Sequence, residues 1–413
     1  MAVKADNLVF GDAISQRLIE LAALSDESGR LTRLYLSPAH RRATDLVAYW
    51  MRDAGMKVRV DPLANVVGRY EARDGGDRTL LLGSHIDTVR NAGRFDGPLG
   101  VVTAIEVVKV AFKAGKRFPF AIEVIAFGDE EGVRFASTLG GSRALAGTFD
   151  PKALDDVGED GVPRREALAA FGCDPTRFAE AARLPDRTVG YVEVHIEQGP
   201  VLEKEGLPLG VVTAIDGVTR AAVEIDGVAG HAGTVPMPMR HDALAAAAEM
   251  LLAIEEQARS RANLVATVGK LDVPGSAPNT IPGRVRFSLD IRSPSDPERI
   301  KAVADIKDAV AAIAQRRDVM QRWTHGHEAS AAVCDATLSD QLAAAVEACG
   351  ATARRMPSGA GHDAMAFDGV IPFAMLFVRC RGGVSHNPAE FASAADIDIA
   401  ARVLATFIDR IGS

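Results

Sequence analysis

Short aliphatic runs alternate with stretches whose apolar residues recur every three or four positions along nearly the whole chain. The aliphatic runs predict buried strands at Thr79–Gly83, Phe120–Phe127, Val189–Val194 and Pro372–Val378, because a strand covered on both faces loses the polar alternation of a half-exposed one. The helical spacing predicts amphipathic helices over Arg42–Ala54, Val101–Gly115 and Asp340–Ala348. Strands separated by helices are the signature of an α/β fold.

Between about Ala214 and Glu328 the rhythm changes. Ala222–Ile225 alternates as a strand does, and Asp242–Arg259 is an Ala-rich helix. Leu264–Leu271 and Val285–Ile291 read as two further strands, and Ser295-Asp296-Pro297 opens a helix running to Ala314. With a last strand from Val319–Thr324 the order is β-α-β-β-α-β, a split unit able to fold by itself. The chain therefore reads as one discontinuous domain, 1–213 and 329–413, interrupted by an insertion at 214–328. Gly161–Arg183 is too weakly patterned to assign.

A length of 413 residues suits two domains, and 47% apolar with 25% charged residues suits a large buried core. Lys+Arg 47 against Asp+Glu 55 leaves a net charge of −8, so there is no basic surplus to neutralise phosphates and no nucleic-acid partner is expected. No apolar run approaches the ~18 residues of a membrane span, and the opening Met-Ala-Val-Lys-Ala-Asp has no hydrophobic signal core. A cytoplasmic protein with no membrane partner is the expectation. Cys173, Cys334, Cys349 and Cys380 form no Cys-x-x-Cys pair and read as reduced thiols. Any metal must then be held by histidine and carboxylate.

Such residues gather just after the aliphatic strands. Leu80-Leu-Leu-Gly-Ser leads into His85-Ile-Asp87, with Asp96 further on; Ile125-Ala-Phe-Gly leads into Asp129-Glu130-Glu131; Tyr191-Val-Glu-Val leads into His195-Ile-Glu-Gln198; Met375-Leu-Phe-Val is followed by Ser385-His386-Asn-Pro. The carboxyl ends of parallel strands open on one side of a sheet, so four separate segments can converge there. His85, Asp96, Glu131, His195 and His386 then suffice for two divalent ions with one carboxylate bridging them. In extended chain Glu130 points opposite to Glu131, leaving one carboxylate for metal and the other for water as general base. Asp87, two residues from His85, is placed to orient that imidazole.

Gly-Ser-His85-Ile-Asp87-Thr, Arg-Phe-Asp96-Gly-Pro-Leu-Gly, Asp-Glu130-Glu131-Gly-Val-Arg-Phe, His195-Ile-Glu-Gln198-Gly-Pro, Gly-His231-Ala-Gly-Thr-Val-Pro-Met and Ser-His386-Asn-Pro-Ala-Glu occur in order along nearly the whole chain. Together they resemble the amidase, hydantoinase/carbamoylase group of the M20 metallopeptidase superfamily, which includes allantoate amidohydrolases, N-carbamoyl-L-amino acid amidohydrolases and β-ureidopropionases. The resemblance implies an α/β catalytic domain with a mixed central sheet flanked by helices, plus an inserted two-layer α+β lid and dimerisation domain. It implies two divalent ions, one on His85, Asp96 and His195 and the other on Asp96, Glu131 and His386, with zinc ahead of manganese, cobalt or nickel. It further implies a homodimer in which His231 reaches the partner's active site to stabilise an oxyanion. Asn279 and Arg292 would hold a substrate carboxylate, and Gln198, Gly361 and His362 would supply further contacts.

The expected activity is hydrolysis of the ureido C–N bond of a small carboxylate, with Glu130 taking a proton from the attacking water and returning it to the departing nitrogen. Allantoate and N-carbamoyl-L-amino acids are the closest substrates, and Arg379 and Arg381 would either suit a more polar one or simply be solvated. An M20 aminoacylase or dipeptidase, and a non-catalytic binding protein, are the alternatives; His195 stands against the first and retention of Glu130 against the second. Gly359-Ala-Gly361-His-Asp-Ala is not expected to bind a dinucleotide, since Met356-Pro-Ser does not read as a strand. His327-Glu328 lacks the second histidine of a helical zinc motif, and His40, His241 and His325 are expected on surfaces or in helices.

Overall fold

The computed structural model describes residues 9–412. The Met1–Asp6 segment, with its lack of a signal core, lies outside the described residues. The chain divides into two compact units, the first comprising Met1–Thr213, Cys334–Met356 and Gly361–Ser413, the second Ala214–Val333 with Pro357–Ala360. The second unit thus begins where the rhythm changes and extends past residue 328.

In chain order the first unit opens with α1 (Gly11–Ala22), α2 (Pro38–Asp53), β1 (Lys57–Val60), β2 (Val66–Tyr70), β3 (Thr79–His85), α3 (Pro98–Lys113) and β4 (Ala121–Phe127). It continues with α4 (Gly140–Ala146), α5 (Arg164–Ala170), β5 (Thr188–Ile196), α6 (Val201–Glu205) and β6 (Leu209–Ile215). The second unit holds β7 (Gly217–Asp226), β8 (Gly230–His231), α7 (Ala243–Arg259), β9 (Val265–Thr267), β10 (Leu271–Asp272), β11 (Thr280–Ile281), β12 (Arg284–Ser293), α8 (Asp296–Arg316), β13 (Met320–Ala329) and β14 (Ala332–Val333). Then come α9 (Ala336–Ala348), β15 (Arg354–Ser358), β16 (Phe373–Val378) and α10 (Ala394–Ile411).

The central sheet runs β1-β2-β4-β3-β5-β16-β6. Its middle four strands are parallel, and the flanking pairs β1–β2, β2–β4 and β16–β6 are antiparallel, so the sheet is mixed. β3, β4 and β16 are buried at every position, as their unbroken aliphatic runs require. Helices α1, α2, α3, α9 and α10 bury apolar faces in one core with these strands, including Ile14, Val47, Val101, Leu342 and Phe407. α2 starts four residues before the expected Arg42, because the Ser37 side chain accepts from the His40 amide and Pro38 stands in the first turn.

The second unit is built on a five-stranded antiparallel sheet, β10-β12-β7-β13 with β9 also paired to β12. β7 and β12 alternate buried and open positions, and α7 and α8 cover the buried face with Ala246, Met250, Ile306 and Val310. The expected strand Leu264–Leu271 is two short strands instead, broken at 268–270. Arg354–Ser358 corrects the expectation of no strand there: Pro357 is tolerated because its fixed φ suits extended backbone. After this strand comes a short 3-10 turn, Asp363–Phe367, rather than the α-helix a dinucleotide fold needs.

Candidate active site

Level parallel strands set the site. His85 at the end of β3 is in register with Phe127 at the end of β4, and His195 near the end of β5 with Phe377 of β16. The loops leaving these ends carry Asp96, Glu130, Glu131 and His386 to one rim of the sheet, the crevice where an open α/β sheet binds ligands.

Asp96 is the hub. Its Oδ1 lies 3.8 Å from His85 Nε2 and 3.1 Å from His195 Nε2, while Oδ2 lies 3.2 Å from His386 Nε2. Glu131 Oε2 is 3.6 Å from the same His386 nitrogen, and Glu130 Oε2 is 4.0 Å from His85 Nε2. His85, Asp96 and His195 form one cluster of metal-ligand spacing and Asp96, Glu131 and His386 another. The hydrogen bonding of the rings tests whether cations fit. His85 Nδ1 is 3.0 Å from the Asp87 carbonyl and His195 Nδ1 is 2.9 Å from the Ile196 carbonyl. A carbonyl only accepts, so each Nδ1 carries the proton and each Nε2 presents a lone pair toward Asp96. His195 Nε2 is buried and makes no hydrogen bond. Lone pairs and a carboxylate aimed at one another fit a shared positive ion.

A frame of backbone hydrogen bonds holds the acids. Asp87 Oδ1 accepts from the Glu130 amide at 3.3 Å and Oδ2 from the Glu131 amide at 3.2 Å. The Asp87 carboxylate is 3.6 Å from His85 Nδ1, so the ring is oriented chiefly by the Asp87 carbonyl. Glu390 accepts from the Phe95 and Asp96 amides at 2.8 and 3.1 Å, and Ser385 Oγ links Asp96 to Glu390. Gln198 Nε2 donates to Asp96 Oδ2 at 3.0 Å. Asp129, Gln198 and His386 adopt left-handed φ of 69°, 57° and 53°, a strain that clusters at functional sites.

Burial and repulsion shape the electrostatics. Burial, with the Asp96 charge beside it, pushes the Glu131 carboxyl up to about 7. Burial also raises Glu130 well above the usual range, His85 opposing and Glu131 adding to the rise. Burial works to raise Asp96 too, but the contacts with His195 and His386 outweigh it and hold the carboxyl well below the usual range. The hydrogen bond to Asp96 lifts His386 to about 9. Buried acids that resist ionising together mark a pocket that calls for cations.

Gly361 lies against Glu130, since a β-carbon there would sit 3.9 Å from Oε1. His362 is buried edge-on to His195 with ring centroids 4.4 Å apart. His231, Asn279 and Arg292 belong to the second unit. There His231 on β8 pairs with Thr280 of β11, and the Ala232 amide donates to the Asn279 carbonyl, so these two loops meet. Arg292 on β12 donates to Asp290 from Nε at 2.7 Å and Nη2 at 3.1 Å, and from Nη1 to the Gly359 carbonyl at 2.7 Å. Arg379 is taken up by a bidentate pair with Asp396 and Arg381 stacks on Phe391, so both have structural partners. His40 is in a helix, as one alternative had it, but wholly buried. His325 is exposed and on a strand.

Residues 81–410 match the family model of peptidase family M20/M25/M40. The chain belongs to that family. It is 41% identical to allantoate deiminase 1 of Glycine max over 99% of this chain and 92% of the relative. It is also 41% identical to the N-carbamoyl-L-amino acid amidohydrolase of Geobacillus stearothermophilus, over 96% and 97%. A hydantoinase/carbamoylase family amidase from Burkholderia multivorans shares the fold with a TM-score of 0.93 at 33% identity over 98% of each chain. With such relatives this M20/M25/M40 member is a hydrolase acting on amides.

Several residues of the site escaped the sequence reading. Glu390 stands four positions after His386, inside the Ser-His-Asn-Pro-Ala-Glu motif, yet its work is on amides 294 and 295 residues away. Buried Glu193 accepts from Ser84 at 2.8 Å and from the Ala364 amide at 3.1 Å, tying β3 and β5 to the His362 turn. An acid inside an otherwise aliphatic strand was the available signal. Among the described residues no helix is long and apolar enough to cross a membrane.

Proposed function

We propose that this M20/M25/M40 member is a binuclear metal-dependent amidohydrolase that cleaves the ureido C–N bond of a small carboxylate, allantoate or an N-carbamoyl-L-amino acid. The observation that carries the reading is the division of one Asp96 carboxylate between two donor sets, with Glu130 beside them. The names of the relatives, allantoate deiminase and N-carbamoyl-L-amino acid amidohydrolase, support the substrate class. His85, Asp96 and His195 would hold one ion and Asp96, Glu131 and His386 the other. Zinc comes first, and manganese, cobalt or nickel suit the same nitrogen and oxygen donors. When bound, the ions supply Lewis-acid polarisation of a carbonyl and a water acidified toward neutrality.

The rest is the work of the chain. Glu130, buried and raised in pKa, takes the proton of the attacking water and passes it to the leaving nitrogen, which departs as a neutral amine. Asp87 fixes the peptide that carries it. His231, from the partner of a homodimer, stabilises the tetrahedral oxyanion. Asn279 and the Arg292 fork hold the substrate carboxylate, which must displace Asp290 or the Gly359 carbonyl from the guanidinium. Gln198, Gly361 and His362 bound the ureido end. In this reading the second unit is the lid and dimerisation domain, and the protein is cytoplasmic.

Glu130→Gln tests the mechanism. Elemental analysis should find metal content unchanged, while ammonia release from allantoate and N-carbamoyl-L-amino acids falls by about 10³-fold. Unchanged ammonia release overturns the role of Glu130. Faster cleavage of N-acetyl or dipeptide controls overturns the substrate class.

A further inference from the structure

The Asp129-Glu130-Glu131 turn is secured at both ends. Asp87 accepts from the Glu130 and Glu131 amides. Asp129, which precedes them, is in a buried ion pair with Arg164, the first residue of α5: Nη1 stands 2.8 Å from Oδ2, and both side chains are within 1% of full burial. The guanidinium is itself fixed. Its Nη2 donates to the carbonyl and hydroxyl of Ser137, each at 2.9 Å, and its Cζ lies 4.7 Å from the Phe135 ring centroid. The Asp129 carbonyl accepts from the Leu139 amide at 2.8 Å, so the chain leaving the turn comes back to it before α4.

Two features argue that this pair serves geometry. Asp129 has φ of 69°, a left-handed conformation uncommon for residues with a β-carbon, and here it is held inside a fully buried pair. Gly140 at the start of α4 leaves the pair its space, since a β-carbon there would sit 2.7 Å from Arg164 Nη1 and 3.0 Å from Asp129 Oδ2. A buried ion pair adds little net stability over a well-packed apolar substitute, because desolvation of both charges offsets their attraction. Its placement next to the turn that carries Glu130 accounts for it better than stability does.

We propose that Arg164 is a positioning residue of the hydrolytic reaction: through Asp129 it fixes the left-handed turn that aims the Glu130 carboxylate, without touching substrate. The inference rests on the reading of Glu130 as the base. Misplacing a catalytic group by about 1 Å costs on the order of 10²-fold in rate, and that is the size of effect to look for.

The test compares metal-loaded wild type with Arg164→Met, Arg164→Lys, Gly140→Ala and the double variant Asp129→Asn/Arg164→Met, using whichever ureido substrate the wild type turns over best. Arg164→Met should lower kcat by about 10- to 100-fold with KM within about twofold and metal content unchanged. Arg164→Lys, which keeps a cation, should recover part of that rate. Gly140→Ala keeps both charges and crowds the pair, and should lower kcat with the same unchanged KM. If Arg164→Met does not fold, the double variant, which buries no unpaired charge, and Gly140→Ala decide the matter. A kcat within about twofold of wild type in the folded, metal-loaded variants overturns the proposal. Glu130→Gln run alongside separates the two ideas: full activity there overturns the base assignment, whereas an inactive Glu130→Gln beside fully active Arg164 variants overturns the Arg164 proposal alone.

Discussion

His40 shows how far one buried side chain departs from its ordinary chemistry. It sits in the first turn of α2, between the rings of Tyr35 and Phe171, and its Nδ1 accepts from the Leu36 amide at 3.1 Å. Burial, opposed by the Asp87 charge and helped by Arg33, lowers its pKa from 6.5 to about 4. Between those values the unfolded chain binds a proton that the folded chain refuses, so stability falls as pH drops through this window and changes no further below it. The full shift is worth roughly 3 kcal/mol. Burial of Asp61 raises its carboxyl to about 6 and acts with the opposite sign, but equally in any His40 variant. Urea unfolding of wild type and His40→Gln at pH 7 and pH 4 should therefore show the wild type losing about 3 kcal/mol of its advantage. A constant difference between the two proteins means that His40 is protonated when folded.

At the scale of elements, α3 binds together the two strands that carry His85 and His195. It begins one residue after Gly97, directly behind Asp96, and crosses β3 and β5 so closely that a β-carbon at Gly100 would stand 2.2 Å from the Val194 carbonyl and 2.9 Å from Ser84 Cβ. In an ordinary helix Gly→Ala gains about 1 kcal/mol. Here backbone blocks the methyl, so Gly100→Ala should destabilise by about 1–3 kcal/mol, the usual cost of overpacking. Because Val194 and Ser84 adjoin His195 and His85, metal affinity should fall as well. Thermal unfolding and a metal titration check both, and a raised midpoint with unchanged affinity defeats the argument. The same contacts explain what could be read in advance. His85, Glu130 and His195 follow aliphatic runs whose parallel pairing can be inferred locally, and Asp96 opens a helix marked by Pro98. β1 was invisible because it is short and largely exposed, with only two valines among four residues. Arg164 was invisible for a different reason: it lies in the weakly patterned stretch, and its meaning comes from Asp129, a partner no local periodicity indicates.

For the molecule as a whole, metal binding at the acidic rim would become part of the folding equilibrium. A chain of net charge −8 gathers Asp87, Asp96, Glu130 and Glu131 at one end of its sheet, and burial with the Asp96 charge holds Glu131 up at about 7. Divalent ions that bind this folded cluster and not the unfolded chain stabilise it by mass action, about 4 kcal/mol at a thousand times the dissociation constant. Chelation should therefore lower the thermal midpoint, and added zinc or manganese should restore it. The shared carboxylate makes a sharper prediction about stoichiometry. His386 lies within 4 Å of Asp96 Oδ2 and Glu131 Oε2, whereas Asp96 faces all three imidazoles. His386→Ala should keep one equivalent of metal on His85, Asp96 and His195, while Asp96→Ala, still folded by circular dichroism, should lose both. Elemental analysis after dialysis reads the difference directly. Two equivalents retained by Asp96→Ala would mean that the ions do not share that oxygen pair, and one retained by it would mean that the two sites are independent.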